Sequence, residues 1–208
     1  TVFEADIGIK KQLKDQWTQT LICGPAAENG VMYAGLFANQ VRAAARTGMG
    51  TVMASKNIKG IAVRGTGAIE VHDPDGFKEL VLTLEGEIRN HEQFEGRRLM
   101  GTTRILMMAD KGGFLPTRNY TQGTFEHASE VSGERLAAEY NVKGRGCFAC
   151  TIPCSRIYSI REGQFKGVHG EGPEYESIGS FTSRLGNRDL ELALTANVLC
   201  NQLGIDIL

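Results

Sequence analysis

Cys147, Cys150 and Cys154 put three thiols within eight residues, in the run Cys147-Phe148-Ala149-Cys150-Thr151-Ile152-Pro153-Cys154. Thiols this close on a short irregular loop can converge on one centre, and soft sulfur ligands select iron–sulfur clusters, zinc or copper(I) over magnesium or calcium. A structural zinc site needs four Cys or His ligands, usually with a second pair at similar spacing. Here only His169, Cys23 or Cys200 could complete it, and none lies in a second C-x-x-C. Three neighbouring cysteines with a distant fourth are a common way to hold a cubane cluster, each thiolate taking one iron. The spacing alone leaves a cluster, a zinc site and a metal-free loop open. The gaps run two residues then three, the reverse of the order in adenosylmethionine radical enzymes, which argues against that chemistry. Cys23 closes an apparent strand and Cys200 lies in an apolar helical stretch, where a free cysteine is ordinarily a small buried hydrophobe.

A second constellation is Val41-Arg42-Ala43-Ala44-Ala45-Arg46-Thr47-Gly48-Met49-Gly50, a basic, glycine-rich connection leading into a short helix from Thr51 to Ser55. Backbone N–H groups at a glycine loop and helix start attract phosphate, and Arg42 and Arg46 could add bidentate contacts beside Gly48 and Gly50. The match to known fingerprints is incomplete. Met53 stands where a dinucleotide motif wants Gly or Ala, and no Lys-Ser/Thr pair completes a P-loop, so an ordinary turn remains the alternative.

The elements that must position these residues fall into two textures. Up to about residue 70 the chain is rich in Gly and β-branched residues, with strands expected at Thr20–Cys23 and Ile58–Arg64. After His72-Asp73-Pro74-Asp75-Gly76, the residues Phe77, Leu80, Val81, Leu84 and Ile88 repeat at helical spacing and open a mostly helical domain. Ser132–Tyr140 predicts a second helix with Ser132 as its N-cap. Asn187–Leu203 predicts a third, with Leu192, Ala196, Leu199 and Leu203 along one side facing a core. Lys111–Pro116 reads as a loop. His72, His91, His127 and His169 lie in turn-like or polar stretches and are expected at the surface.

With 208 residues, 41% hydrophobic, 23% charged and a formal charge of -1, the chain has the composition of a globular protein. Nothing in that charge drives binding to nucleic acid or an anionic membrane. No apolar stretch approaches the roughly 20 residues of a membrane span. Clustered cysteines suit metal ligation in a reducing cytoplasm better than disulfides. The absence of an initial Met and the stop at Ile207-Leu208 suggest an internal piece of a longer protein.

Taken together, Arg42-Ala43-Ala44-Ala45-Arg46-Thr47-Gly48-Met49-Gly50, Ser55-Lys56-Asn57-Ile58-Lys59, Pro116-Thr117-Arg118-Asn119, the triple-Cys loop, Gly172-Pro173-Glu174-Tyr175-Glu176 and Asn201-Gln202-Leu203-Gly204-Ile205-Asp206 resemble the tungsten-dependent aldehyde ferredoxin oxidoreductase family. The order and spacing match throughout. The resemblance implies an α+β chain: residues 1–70 as the end of a β-rich pterin-binding N-terminal domain, and 71–208 as the first part of a mainly α-helical domain. It implies oxidation of aldehydes to carboxylates at tungsten or molybdenum held by two pterins, with Mg2+ bridging their phosphates. Electrons would leave through a 4Fe-4S cluster to ferredoxin. Cys147, Cys150 and Cys154 match three cluster ligands, the fourth Cys and a catalytic His belonging to a C-terminal region beyond this chain. Arg42 and the carbonyl of Ala43 match positions that meet pterin phosphate and its magnesium. Asn201 to Asp206, with Gly204, falls on a pterin motif in which Asp is usual at Asn201 and Leu at Ile205. Glu176 matches a catalytic glutamate near the metal, where the related aromatic-ring reductases are expected to carry a cysteine. A second carboxylate of the family has no clear match, Thr195 standing near it and Glu191 one turn earlier. A ring reductase of the same family and a non-catalytic iron–sulfur module are the rival readings, and a homodimer is compatible with the sequence.

Overall fold

The structure, a computed structural model, describes residues 1–207. The chain folds as two compact units, one formed by Thr1–Gly67 and the chain from Asn197 onward, the other by Ala68–Ala196. By contacts, the segment from Asn197 onward groups with the first unit.

The first unit runs α1 (Val2–Leu13), β1 (Gln19–Cys23), α2 (Pro25–Glu28), β2 (Leu36–Ala38), β3 (Arg42–Ala44), α3 (Met49–Ala54) and β4 (Gly60–Val63). Its four strands pair antiparallel in the order β3-β2-β1-β4, with Leu21 opposite both Ala38 and Ile61. Ile22 and Phe37 meet Val2 of α1 in one buried cluster, while Cys23, Ala26, Ala27 and Ala34 form another. The two expected strands are β1 and β4. The stretch 41–50, expected as a connection, contains β3, because Arg42-Ala43-Ala44 extends a hairpin edge against Leu36–Ala38.

A polar network around Asp6 ties α1 to this sheet. Asp6 is 2% exposed, and its carboxylate accepts hydrogen bonds from Thr20 Oγ1 at 2.5 Å, Gln40 Nε2 at 2.7 Å and Lys10 Nζ at 3.1 Å. Burial pushes the Asp6 carboxyl up, but the hydrogen bonds from Thr20, Lys10 and Gln40 outweigh it, so its pKa lies below the ordinary value. A carboxyl with a depressed folded-state pKa adds stability above its unfolded pKa and loses it as pH falls through the folded one. Asp6→Ala is expected to cost about 1–3 kcal/mol at neutral pH by stranding those donors. Denaturant titration should show the gap to wild type closing as the buffer is acidified, and a gap independent of pH would contradict the ionised network.

The second unit runs α4 (Pro74–Asn90), α5 (Phe94–Met100), α6 (Ile105–Lys111), α7 (Gly133–Arg135), β5 (Asn141–Arg145), β6 (Ser155–Ser159), β7 (His169–Glu171), α8 (Tyr175–Phe181) and the start of α9 (Leu190–Leu203). It is mainly helical, as expected, and adds a small antiparallel sheet in the order β5-β6-β7. Asp73 caps α4 by accepting from Gly76 N at 3.0 Å, with Pro74 inside the first turn where a missing N–H costs nothing. The α4 residues Phe77, Leu80, Val81, Leu84 and Ile88 do lie on one helix, yet none is buried. Ser132 is the expected N-cap, accepting from Arg135 N at 3.2 Å, and the helix widens into a π turn over Leu136–Tyr140.

Helix α9 departs most from the periodic reading. Leu192 and Leu199 are 41% and 51% exposed, whereas Leu190, Ala193, Leu194, Asn197 and Asn201 are buried. The helix also starts at Leu190, with Asp189 Oδ1 accepting from Leu192 N at 3.1 Å, so Asn187 precedes it. Two asparagines occupy the buried face, so counting apolar residues alone selects the wrong side. Among the described residues no helix is long and apolar enough to cross a membrane. His72, His91 and His169 are exposed, and His127 is half-buried against Glu130 at 2.6 Å.

Candidate functional site

The cysteines occupy the connection of the β5–β6 hairpin, whose closing pair is Arg145 opposite Ser155. Cys150 N donates to Cys147 O at 3.1 Å, and Ala149 takes a left-handed φ of 53° to complete that turn. Cys154 N donates to Ile152 O at 2.8 Å, turning the chain back into β6. Cys147 and Cys150 are exposed and Cys154 is half-buried. Burial pushes the Cys154 thiol up, and negative charge on Glu174, Cys147 and Cys150 adds to that rise. The three thiols thus share one electrostatic neighbourhood, although among the described residues no group of three or more Cys, His, Asp or Glu side chains stands ready to hold a metal ion. Two exposed thiols and one half-buried thiol on a single loop leave soft ligands within reach of a metal.

The hairpin leads directly to Glu176. Strand β6 pairs with β7, Ile157 opposite Glu171, and Gly172 N donates to Arg156 O at 2.9 Å before the chain enters α8. Glu176 sits in the first turn of α8. Its Oε2 accepts from Arg184 Nη2 at 2.5 Å, and Arg184 Nη1 donates to Ser180 Oγ at 3.0 Å. The Arg184 guanidinium lies 5.5 Å from the ring centre of Tyr120. Tyr120 belongs to a run, Arg118, Asn119 and Tyr120, in which all three residues adopt left-handed φ between 44° and 64°. Non-glycine residues rarely take that conformation, and here main-chain bonds from Arg118 N to Ser183 O and Asn119 N to Arg184 O hold it. Glu174, two residues before Glu176, accepts from Thr102 Oγ1, which in turn accepts from Tyr175 N at 2.9 Å.

Neither candidate for a second carboxylate function is free. Glu191 accepts from Tyr140 OH at 3.2 Å, and Thr195 donates to Glu191 O at 2.8 Å. Burial pushes the Tyr140 hydroxyl up to about 12, with the Glu191 charge adding to it.

In the first unit, residues from both ends of the sequence meet. Arg46 Nε donates to Asp206 Oδ2 at 3.2 Å, Gly35 N to Gly204 O at 2.9 Å, and Asp206 N to Tyr33 O at 3.1 Å. The segment Gly204–Asp206 therefore lies antiparallel along residues 33–35, bridging Ala34 to Ile205. Gly48 caps α3 with φ 74°, and a Cβ there would come within 2.2 Å of Met32 O, while one on Gly50 would come within 2.3 Å of Gly35 O. These glycines serve close backbone approach. The N–H groups of Gly50, Thr51 and Val52 are engaged by Ala34 O and Gly48 O, so the helix start offers fewer free donors than the sequence suggests. Arg42 and Ala43 stand on β3, Arg42 half-exposed, and Asn201 is 9% exposed on α9.

Three positions escape the sequence reading. Gly24 abuts Leu203 and Gly204 so closely that a Cβ would lie 2.2 Å from Leu203 O, a main-chain contact with no local signal. Arg184 and Arg156 carry no motif either. Outside the site, Cys23 is buried with its thiol 3.4 Å from the Ile58 and Lys59 carbonyls, and Cys200 is half-buried, both as expected of small core residues.

The chain matches the family described as aldehyde ferredoxin oxidoreductase, N-terminal domain, over residues 1–65, and the one described as aldehyde ferredoxin oxidoreductase, domains 2 & 3, over residues 79–208. It is 37% identical over 207 residues to the tungsten-containing aldehyde ferredoxin oxidoreductase of Thermococcus kodakarensis and 38% identical over 207 residues to that of Pyrococcus abyssi. Each alignment takes in 99% of this chain and 33% of the relative, so the chain spans about a third of their length. The WOR-like subunit of an aliphatic sulfonate oxidoreductase from Pyrococcus furiosus is 28% identical over 88% of the chain and 29% of its own length. In fold, the active-site complex BamBC of benzoyl coenzyme A reductase superposes with a TM-score of 0.75 at 21% identity, covering 99% of this chain and 32% of that one. With its two stretches matched in order to the N-terminal domain and to domains 2 & 3 of one family, the chain belongs to the aldehyde ferredoxin oxidoreductase family.

Proposed function

We propose that the protein containing this chain oxidises aldehydes to carboxylates and passes the electrons to ferredoxin. The observation that carries the reading is the direct connection of the three-thiol loop, through β6 and β7, to the α8 turn bearing Glu176. When bound, a tungsten or molybdenum bis-pterin centre supplies Lewis acidity and a two-electron sink, and a 4Fe-4S cluster supplies one-electron exits.

The chain's own residues have definable tasks within that scheme. Cys147, Cys150 and Cys154 would hold three corners of the cluster. Arg42, Arg46, Gly48, Gly50, Asn201, Gly204 and Asp206 line the pterin side, with the Ala43 carbonyl offered to Mg2+. The Arg46–Asp206 pair ties the two ends of that surface together. Converting an aldehyde and water to a carboxylate releases two electrons and three protons, so the reaction needs a base beside the carbonyl carbon. Glu176 accepts the proton of the adding water, oriented by Arg184. Three thiols clustered for a metal suit a reducing, cytoplasmic setting, where we place this chemistry.

The test is the full-length protein, purified without oxygen. Stoichiometric tungsten or molybdenum, four irons per chain and aldehyde-dependent reduction of ferredoxin are the expected results. Iron without either heavy metal would reduce the protein to an electron carrier, and ring reduction without aldehyde turnover would move it to the rival branch.

A further inference from the structure

Arg156 is the largest fully buried side chain among the described residues, with 0% exposure. Nη1 donates to Cys154 O at 3.0 Å and Nη2 to Pro173 O at 2.8 Å, while Nε has no hydrogen-bond partner. No carboxylate forms an ion pair with it among the described residues. Glu174 and Cys154 act on its charge only at longer range. A buried guanidinium cannot shed its proton and is costly to bury unless a negative charge compensates it. Packing alone would be served by a Met or Leu of similar volume. The space is also purpose-built: Gly101 has φ 58°, and a Cβ there would lie 2.2 Å from Cys154 O and 2.4 Å from Arg156 Nη1. The next residue, Thr102, binds Glu174 and the Tyr175 N–H, at the start of the helix carrying Glu176.

We infer that Arg156 is a positioning residue that locks the third cysteine of the loop to the Pro173–Glu176 segment and supplies the fixed positive charge that a thiolate-bound cluster compensates. This rests on the reading of Cys147, Cys150 and Cys154 as cluster ligands. It adds two separable properties to that reading. The charge favours the reduced, more negative form of the cluster and so raises its potential. The two-pronged grip on Cys154 O and Pro173 O needs a planar fork, which lysine lacks.

Full-length holoenzyme carrying Arg156→Met or Arg156→Lys tests both, with iron content, EPR-monitored redox titration and aldehyde kinetics as readouts. Arg156→Met is expected to shift the cluster midpoint to more negative potential. Arg156→Lys is expected to hold the midpoint near wild type while lowering kcat about tenfold or more with KM little changed, because the charge survives and the grip does not. A wild-type midpoint in Arg156→Met at full iron content overturns the electrostatic part, and wild-type kcat in Arg156→Lys overturns the positioning part. Should the Met variant fail to fold, a midpoint displaced in Arg156→Lys as well would equally refute the assignment of charge. Wild-type protein with no cluster signal would instead remove the ligand reading on which the inference stands.

Discussion

Cys150→Ser is expected to strip the full-length protein of its broad visible cluster absorbance and most of its iron, whereas Cys200→Ser should keep both. The difference follows from where each thiol sits. Cys150 is exposed on the hairpin loop, held by its N–H to Cys147 O at 3.1 Å, in the neighbourhood it shares with Cys147 and Cys154. A serine hydroxyl fits the same turn but is neither ionised at neutral pH nor a soft ligand, so one iron loses its thiolate. Cys200 lies half-buried in α9, where burial alone pushes its thiol up and favours the protonated form. Removing its sulfur trims a small apolar contact. Iron analysis and the visible spectrum of the two variants, purified side by side without oxygen, decide the matter; equal losses in both would mean that α9 takes part in metal binding.

What the sequence could and could not disclose follows from the physical scale of each signal. Three thiols in eight residues are a chemical signal independent of fold, and they do lie on a loop, the connection of a hairpin. The strand that leads into it is invisible in the sequence. Asn141-Val142-Lys143-Gly144-Arg145 is polar, exposed over all but its first residue, and interrupted by a register shift between Asn141 and Lys143, so it has no alternation to detect. The α9 stripe misleads for a related reason. The buried face there includes Asn197 and Asn201 beside Leu190, Ala193 and Leu194, and hydrophobic periodicity assigns the asparagines to water. Contacts between distant backbones, such as Gly24 on Leu203, leave only one glycine among the 26 in the chain as their trace.

Glu176→Gln is expected to lower aldehyde turnover by about 10²- to 10⁴-fold, the usual scale for losing a general base, with tungsten and iron contents unchanged. The structure makes this substitution a clean one. Glutamine keeps an oxygen that can accept from Arg184 Nη2, so the 2.5 Å contact, the Ser180 bond and the stacking over Tyr120 can all persist. Only the capacity to take a proton goes. Shape loss is therefore separable from loss of basicity, which Glu176→Ala would confound. The left-handed run at Arg118–Tyr120 gives a second handle on the same carboxylate. Its backbone bonds to Ser183 O and Arg184 O hold the run beside the guanidinium, with the Tyr120 ring 5.5 Å from it, so Tyr120→Ala, which removes that ring, should loosen Glu176 without touching it and produce a smaller fall in kcat than the Gln variant. Full activity in Glu176→Gln would refute the catalytic role proposed for this residue and leave the Arg184 pair as a purely structural cap on α8. Because that outcome leaves the thiol loop and the metal content as they were, it would relocate the base within the protein and leave the oxidoreductase itself standing.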